Sequence, residues 1–471
     1  MMTLEQMFDP TTFRRIGHTV IDLLAEHLAQ SLAGQGQVLR WAAPDAAEQA
    51  WRQPVPRQPV ITAEAFARHL HEEVLARGLH IHHPRNLGHQ VATPLPMAAL
   101  CDLVAALTNQ AMAVYETGPA ATMIERQVIR WLGELVGWQD TEGVLTSGGA
   151  QANLTALLAA RQHAAGWDVW KQGVAAGPML RILTSEHAHY SVARAAGIMG
   201  LGTDAVVKVT ADDQGRMDMS ALAAAHREAI ANGHRILAVA ATAGCTPTGS
   251  IDPLAEIGTY CREHGLWLHV DGAHGASALL SGKHRDALRG IELADSVVWD
   301  GHKLLYMPAP VSAVLYRNPL ASYAAFTQEA SYLFQGQSPA EETYNTSYRT
   351  LECTKRMMGL KLWAAFSLYG VQGLAQLVDR VYATAQRLAD KVQTAPDFEL
   401  LMEPQTNIVC FRRRSGNQAA LRRALVESGA FHLTQVCLHD QIWLRATVMN
   451  PFTREADLDA LLEGIRNILR P

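Results

Sequence analysis

The sequence predicts an α/β protein with a mostly parallel central sheet covered by helices on both faces, plus an N-terminal helical segment and a C-terminal α+β small domain. Three observations predict it. Short apolar strand-like runs alternate with helical stretches between about residues 94 and 350, the pattern of a parallel sheet. The chain has 471 residues, enough for two or three lobes. After about Thr350 the texture changes to a long helix, short strands and a closing helix.

In chain order, Phe13, Ile16, Val20, Leu23, Leu24 and Leu28 recur at three-to-four spacing and predict an amphipathic helix over 11–33. Pro44, Pro54, Pro56 and Pro59 predict an extended connector from Trp41 to Val60. A second helix is expected near Ala63 to Leu75. These elements make up an N-terminal segment, 1–93. In the next domain, 94–350, buried strands are expected at Arg181–Thr184, Ile236–Ala240, Leu266–Val270 and Ser296–Trp299, with a helix at Pro253–Glu263. Ligands of such sheets sit beyond the carboxyl ends of the strands, where Thr246, Asp271 and Lys303 fall. The small domain, 351–471, holds a long helix from Arg356 past Tyr369, strands at Ile408–Phe411 and Ile442–Arg445, and a helix from Glu455 to Leu469.

Composition narrows the function. Hydrophobic residues make up 48% and charged residues 18%, as in packed globular proteins. A net charge of −5 provides no basic field and argues against nucleic acid as a partner. Six scattered cysteines without a C-x-x-C pair suit reduced thiols better than a disulfide framework or zinc site. Met1–Pro10 lacks a basic head followed by an apolar run, and no apolar stretch is long enough to span a bilayer. A cytoplasmic protein away from membranes is expected. His80, His82, His83 and His89 are clustered, but Pro84 and their irregular spacing argue against a preformed metal site.

The chemistry concentrates in two strings. His269-Val270-Asp271-Gly272-Ala273-His274 is followed, one short crossover later, by Val297-Val298-Trp299-Asp300-Gly301-His302-Lys303. Separately, Asp271 reads equally as a helix cap or metal ligand, and Lys303 as a solvated surface charge. Together, a carboxylate ending one strand and a lysine just past the next point to pyridoxal phosphate. The acid keeps the pyridine nitrogen protonated and the lysine forms the Schiff base. The flanking Val297–Trp299 run predicts an apolar setting that lowers the Lys303 pKa. A phosphate cradle is expected at Thr146-Ser147-Gly148-Gly149-Ala150-Gln151-Ala152-Asn153, with a helix from near Gln151 pointing its positive end at the anion; alone, a Gly-Gly pair is only a turn. His189 is a candidate to stack on the cofactor ring, or else an ordinary core or surface histidine. Thr246 would bond the cofactor hydroxyl or Asp271, or else serve its turn.

An ordered set of motifs extends these strings: His83-Pro84; Tyr115-Glu116 with Pro119, Thr122 and Glu125; Ser147-Gly148-Gly149-Ala150; Ala188-His189; His269-Val270-Asp271; His302-Lys303; Ser331-Tyr332-Leu333-Phe334-Gln335; and Leu444-Arg445 before Asn450-Pro451. Over this span the chain resembles the pyridoxal-phosphate-dependent group II decarboxylases, which act on glutamate, cysteine sulfinate, 2,4-diaminobutyrate or aromatic amino acids. The resemblance implies the fold type I, aspartate aminotransferase-like architecture, pyridoxal 5'-phosphate as cofactor, a homodimer, and decarboxylation of an L-amino acid to its amine. It implies that Lys303 carries the cofactor, His189 stacks on it, Asp271 pairs with its ring nitrogen and Ala273 packs beneath. Gly149, Ala150 and His302 would hold the phosphate, within the cradle that Gly148 opens. Arg445 would grip the substrate α-carboxylate in a bidentate pair. Tyr332 would match the loop tyrosine that reprotonates the carbanion, and tyrosine rather than phenylalanine there favours simple loss of carbon dioxide.

Three departures bear on the substrate. Asp300 adds a negative charge near the phosphate, to be offset by His302 and backbone donors. Arg85-Asn86-Leu87-Gly88-His89-Gln90 replaces the aromatic pair of many relatives, and family position turns His89 toward the substrate side chain. Cys353-Thr354-Lys355-Arg356 replaces a more usual Gly-Arg segment. The expected substrate is therefore small and polar, acidic or diamino. The alternatives are an aromatic amino acid decarboxylase, an aminotransferase or aldolase on the same scaffold, and a silent homologue. The last is opposed by the joint presence of Lys303, Asp271, His189, Tyr332 and Arg445.

Overall fold

The computed structural model describes residues 3–326 and 342–468, so Tyr332 lies outside the described residues. The chain divides into two units. One gathers the residues through His89, Thr384–Leu401 and those from Val409 onward; the other comprises Gln90–Ala383 and Met402–Ile408.

The strands are β1 (Asn86–Leu87), β2 (Glu142–Thr146), β3 (Leu180–Ser185), β4 (Val206–Val209), β5 (Arg235–Thr242) and β6 (Leu268–Asp271). They continue with β7 (Ser296–Asp300), β8 (Ser312–Tyr316), β9 (Phe398–Leu400), β10 (Ile408–Arg413), β11 (His432–Leu438) and β12 (Gln441–Thr447). The larger sheet has the order β2-β8-β7-β6-β5-β3-β4. Its pairs from β7 to β4 are parallel, whereas β8 runs antiparallel to both β7 and β2. Two reversals return β2 to the direction of β7. The carboxyl ends of β2, β3, β5, β6 and β7 therefore share one edge.

These strands are apolar runs because they are covered on both faces. Helix Gly149–Ala165 packs across β5, β7 and β8, and its many alanines allow a close approach. Leu157 joins Ile182, Leu237, Ala240, Val298 and Val314 in one buried cluster. Each buried leucine there contributes about 1.5–3 kcal/mol. The crossover from β6 to β7 is three 3-10 turns, Gly275–Leu280, Arg285–Leu288 and Ile291–Leu293, which leaves Asp271 and Lys303 on neighbouring strands.

The smaller sheet, β1-β11-β12-β10-β9, is backed by helix Gln418–Glu427, which packs on β11 and β12. At the N-terminus, Asp9 caps helix Pro10–Leu32 by accepting from the Thr11 and Thr12 N–H groups, with Pro10 at the first turn where its missing N–H costs nothing. The same rule corrects the expected extended connector. Pro44 opens a helix, Pro44–Trp51, because a proline at the first helical position starts a helix as readily as it breaks one. The long helix runs from Gly359, not Arg356, to Thr394, with a non-helical kink at Gly370. Among the described residues no helix is long and apolar enough to cross a membrane.

Candidate active site

The site grows from the residues that follow the strand ends. After β2, Gly148 adopts φ 143° and ψ 160°, a region that essentially only glycine occupies. The chain then enters helix Gly149–Ala165, which no side chain caps. Its first-turn N–H groups at Gly149, Ala150 and Gln151 thus have no acceptor within the helix. The helix begins two residues before the expected Gln151, because the extended turn ends at Gly148. A Cβ on Gly149 would lie 3.0 Å from both Asp300 carboxylate oxygens, so glycine lets the helix start abut the end of β7.

His189 follows β3 and Thr246 follows β5. Asp271 ends β6, Asp300 ends β7, and the next turn carries His302 and Lys303. Gly148, Gly149, Ala150, His189, Thr246, Asp271, Ala273, Asp300, His302 and Lys303 all border one cavity of 290 Å³. Asn153, Tyr190 and His274 also line it; sequence reasoning placed Asn153 only at the end of the phosphate cradle and gave Tyr190 and His274 no role. Asn153 was visible as a buried amide one turn into an alanine- and leucine-rich helix.

Both Asp271 oxygens are engaged. Oδ2 accepts from Asn153 Nδ2 at 2.9 Å and Oδ1 from the Ala273 N–H at 3.2 Å. Among the described residues Thr246 makes no hydrogen bond to Asp271, and Asn153 supplies the side-chain donor instead. His189 Nδ1 lies 2.8 Å from Ser191 Oγ. Burial lowers the pKa of this ring, partly opposed by the Asp271 carboxylate.

The setting of Lys303 is not apolar, contrary to expectation. Its Nζ sits 3.2 Å from Asp300 Oδ2, because the turn after β7 folds the lysine back over the strand end. Ser312 Oγ donates to Asp300 Oδ1, and His302 Nε2 lies 3.5 Å from Oδ2. The buried Asp300 carboxylate is thus met by a hydroxyl and an ammonium. The Nδ1–H of His302 donates to the Val311 carbonyl at 2.8 Å. The departure at Lys355 proves to be a buried ion pair with Glu125.

This donor set fits a pyridoxal phosphate. Uncapped helical N–H groups suit the phosphate, a Cβ at Gly148 would project into open space, a carboxylate suits the ring nitrogen, and an amine suits the aldehyde.

The remaining candidates lie in the first unit. β1 pairs with β11 and β11 with β12, which brings the chain around His89 near Arg445. His89 is exposed, with its ring 5.6 Å from that of His432. Desolvation lowers its pKa, with Arg445 and Arg422 adding to the effect. Arg445 is buried and donates from Nη1 to Thr434 Oγ1 at 3.3 Å.

Residues 63–414 match the family model described as the pyridoxal-dependent decarboxylase conserved domain. The chain is 34% identical over 404 residues to cysteine sulfinic acid decarboxylase of Mus musculus, covering 81% of each protein. It is 31% identical over 419 residues to acidic amino acid decarboxylase GADL1 of Mus musculus, covering 85% of this chain and 76% of that one. The crystal structure of mouse CSAD superposes with a TM-score of 0.90 at 30% identity, over 98% of this chain and 99% of that chain.

Proposed function

Since the chain belongs to the pyridoxal-dependent decarboxylase family and is a pyridoxal-phosphate-dependent amino acid decarboxylase, we propose that its substrate is a small acidic amino acid and that the 290 Å³ cavity is its catalytic centre. The observation that carries the assignment is Asp271 and Lys303 bordering one cavity beside an uncapped helix N-terminus. Pyridoxal phosphate bound there supplies an electron sink for the breaking Cα–carboxylate bond.

Lys303 would hold the cofactor covalently, with its Nζ positioned by Asp300. Asp271 would pair with the ring nitrogen, both of its carboxylate oxygens being oriented by N–H donors. His189 would stack on the ring with Ala273 opposite, Gly148, Gly149, Ala150 and His302 would receive the phosphate, and Thr246 would border the ring. Arg445 takes the substrate α-carboxylate, His89 faces the side chain, and Tyr332 returns a proton to Cα. Arg422 near His89 favours an anionic side chain over an aromatic one. The relatives named for cysteine sulfinic acid and acidic amino acids support that class.

The protein acts as a cytoplasmic homodimer in this reading. Phe13, Ile21 and Leu24 are 52%, 41% and 43% exposed along one side of helix Pro10–Leu32, an apolar stripe that suits a partner subunit.

A panel assay of released carbon dioxide tests the substrate: cysteine sulfinate, aspartate and glutamate should outpace 2,4-diaminobutyrate, tyrosine and tryptophan. Faster turnover of an aromatic amino acid would overturn the acidic reading. Borohydride should fix the cofactor to the wild-type chain but not to Lys303→Ala.

A further inference from the structure

Behind Asp271 runs a chain of buried hydrogen bonds whose direction is set at its far end. The Trp267 indole only donates, and its Nε1 lies 3.0 Å from Ser296 Oγ. Ser296 therefore accepts there and keeps its hydroxyl hydrogen for His269 Nδ1, 2.9 Å away. His269 is fully buried, and burial drives its pKa down, so the ring is neutral and carries its one hydrogen on Nε2. That hydrogen points to Asn153 Oδ1 at 3.0 Å.

The Asn153 amide nitrogen then faces two acceptors at 2.9 Å, Asp271 Oδ2 and Ser191 Oγ. The flipped amide would set its oxygen against a carboxylate oxygen, so this orientation alone is consistent. Ser191, already accepting, turns its hydroxyl hydrogen to His189 Nδ1 at 2.8 Å. The Ser191 backbone N–H approaches the same nitrogen at 3.3 Å. His189 Nδ1 is an acceptor twice over, which leaves the ring proton on Nε2.

We propose that Asn153 is a positioning residue for decarboxylation: backed by His269, its amide fixes the Asp271 carboxylate in one orientation and, through Ser191, holds His189 in the Nε2–H tautomer. The inference rests on the assignment of Asp271 and His189 to the cofactor ring. One amide thereby couples the group at the ring nitrogen to the group stacked on its face. In this reading Asn153 and His269 act through Asp271 and His189 rather than on the substrate, so they bear on the barrier more than on binding.

The test uses holoenzyme throughout. In wild type, ¹⁵N NMR of labelled histidine should show His189 Nδ1 unprotonated and Nε2 protonated; the opposite tautomer overturns the proposal. Asn153→Ala should lose cofactor about tenfold faster on dialysis and lower kcat about tenfold at saturating cofactor, with KM within about twofold. Its His189 signal should shift toward mixed tautomers. Unchanged kcat and tautomer would sink the idea. Should Asn153→Ala fail to fold, His269→Gln, which retains a donor at the Nε2 position, should keep kcat and the His189 tautomer, whereas His269→Leu should lose both; equal behaviour of the two overturns the relay. Asp271→Asn separates the layers. If it holds cofactor as wild type does, the assignment of the site falls. If it weakens retention while Asn153→Ala does not, only the relay falls.

Discussion

Replacing Lys355 with methionine removes the ammonium from a site where both partners of the ion pair are nearly sealed from water. The Lys355 and Glu125 side chains are 1% and 3% exposed. Burial lowers the Lys355 pKa and the Glu125 carboxylate opposes that shift. Nζ donates to Glu125 Oε1 and to the Leu145 carbonyl at 3.1 Å. Glu125 Oε1 also accepts from the Leu145 N–H at 3.1 Å, while Oε2 has no hydrogen-bond partner. Without the lysine, a buried carboxylate keeps a single backbone donor, at a cost of about 3–5 kcal/mol. The double variant Glu125→Gln/Lys355→Met removes both charges and leaves an amide oxygen for the Leu145 N–H. Its loss should be only about 1–2 kcal/mol, so the double variant is more stable than the single. Urea midpoints followed by circular dichroism, at one fixed cofactor concentration because bound cofactor stabilises by mass action, measure the difference. A single variant within about 0.5 kcal/mol of wild type, or a double variant less stable than the single, would refute the claim that desolvated charge governs here. The consequence reaches the site, because Leu145 lies two residues before the Ser147-Gly148 turn.

Lys303→Ala should leave a folded protein without turnover, and an appreciable residual rate would remove the lysine from the chemistry. Gly149→Ala places a methyl 3.0 Å from both Asp300 oxygens and should weaken cofactor binding about tenfold by displacing the helix start from the phosphate; a cofactor titration with unchanged affinity contradicts the cradle. Burial holds the His432 pKa down at about 4, with His89 and Arg422 adding to the effect. The unfolded ring titrates near 6.5 and binds the extra proton first, so this contribution to stability is full above about pH 6.5 and is lost as pH falls toward 4. His432→Asn keeps a donor for Asn86 and should flatten that acid limb in urea midpoints taken across pH; an equally steep limb in both proteins would exclude His432 as its source.

Much of the larger sheet was legible because burial on both faces writes strands as uninterrupted apolar runs. Ile236–Ala240 and Ser296–Trp299 announce β5 and β7 without any partner in view. Asp271 and Lys303 were legible for a related reason: Asp271 directly follows one such run and Lys303 lies in the turn just past another, where a parallel sheet opens to its ligand. Proline misled at Pro44, since the sequence shows the residue but not whether its neighbours go on to form a turn of helix.

Pairing and orientation were beyond local pattern. The insertion of β8 between β2 and β7 returns the Gly148 turn to the same edge as Asp271, and nothing in Ser312–Tyr316 states its neighbours. The opposition of Asp300 and Lys303 depends on the tightness of one turn. The convergence of Trp267, Ser296, His269, Asn153 and Ser191 depends on β6, β7 and two helices packing in register. Apolar periodicity is a property of each segment alone, so the chain declares it. Hydrogen-bond partnership between distant side chains depends on distances of a few ångströms, and only the packed fold sets those.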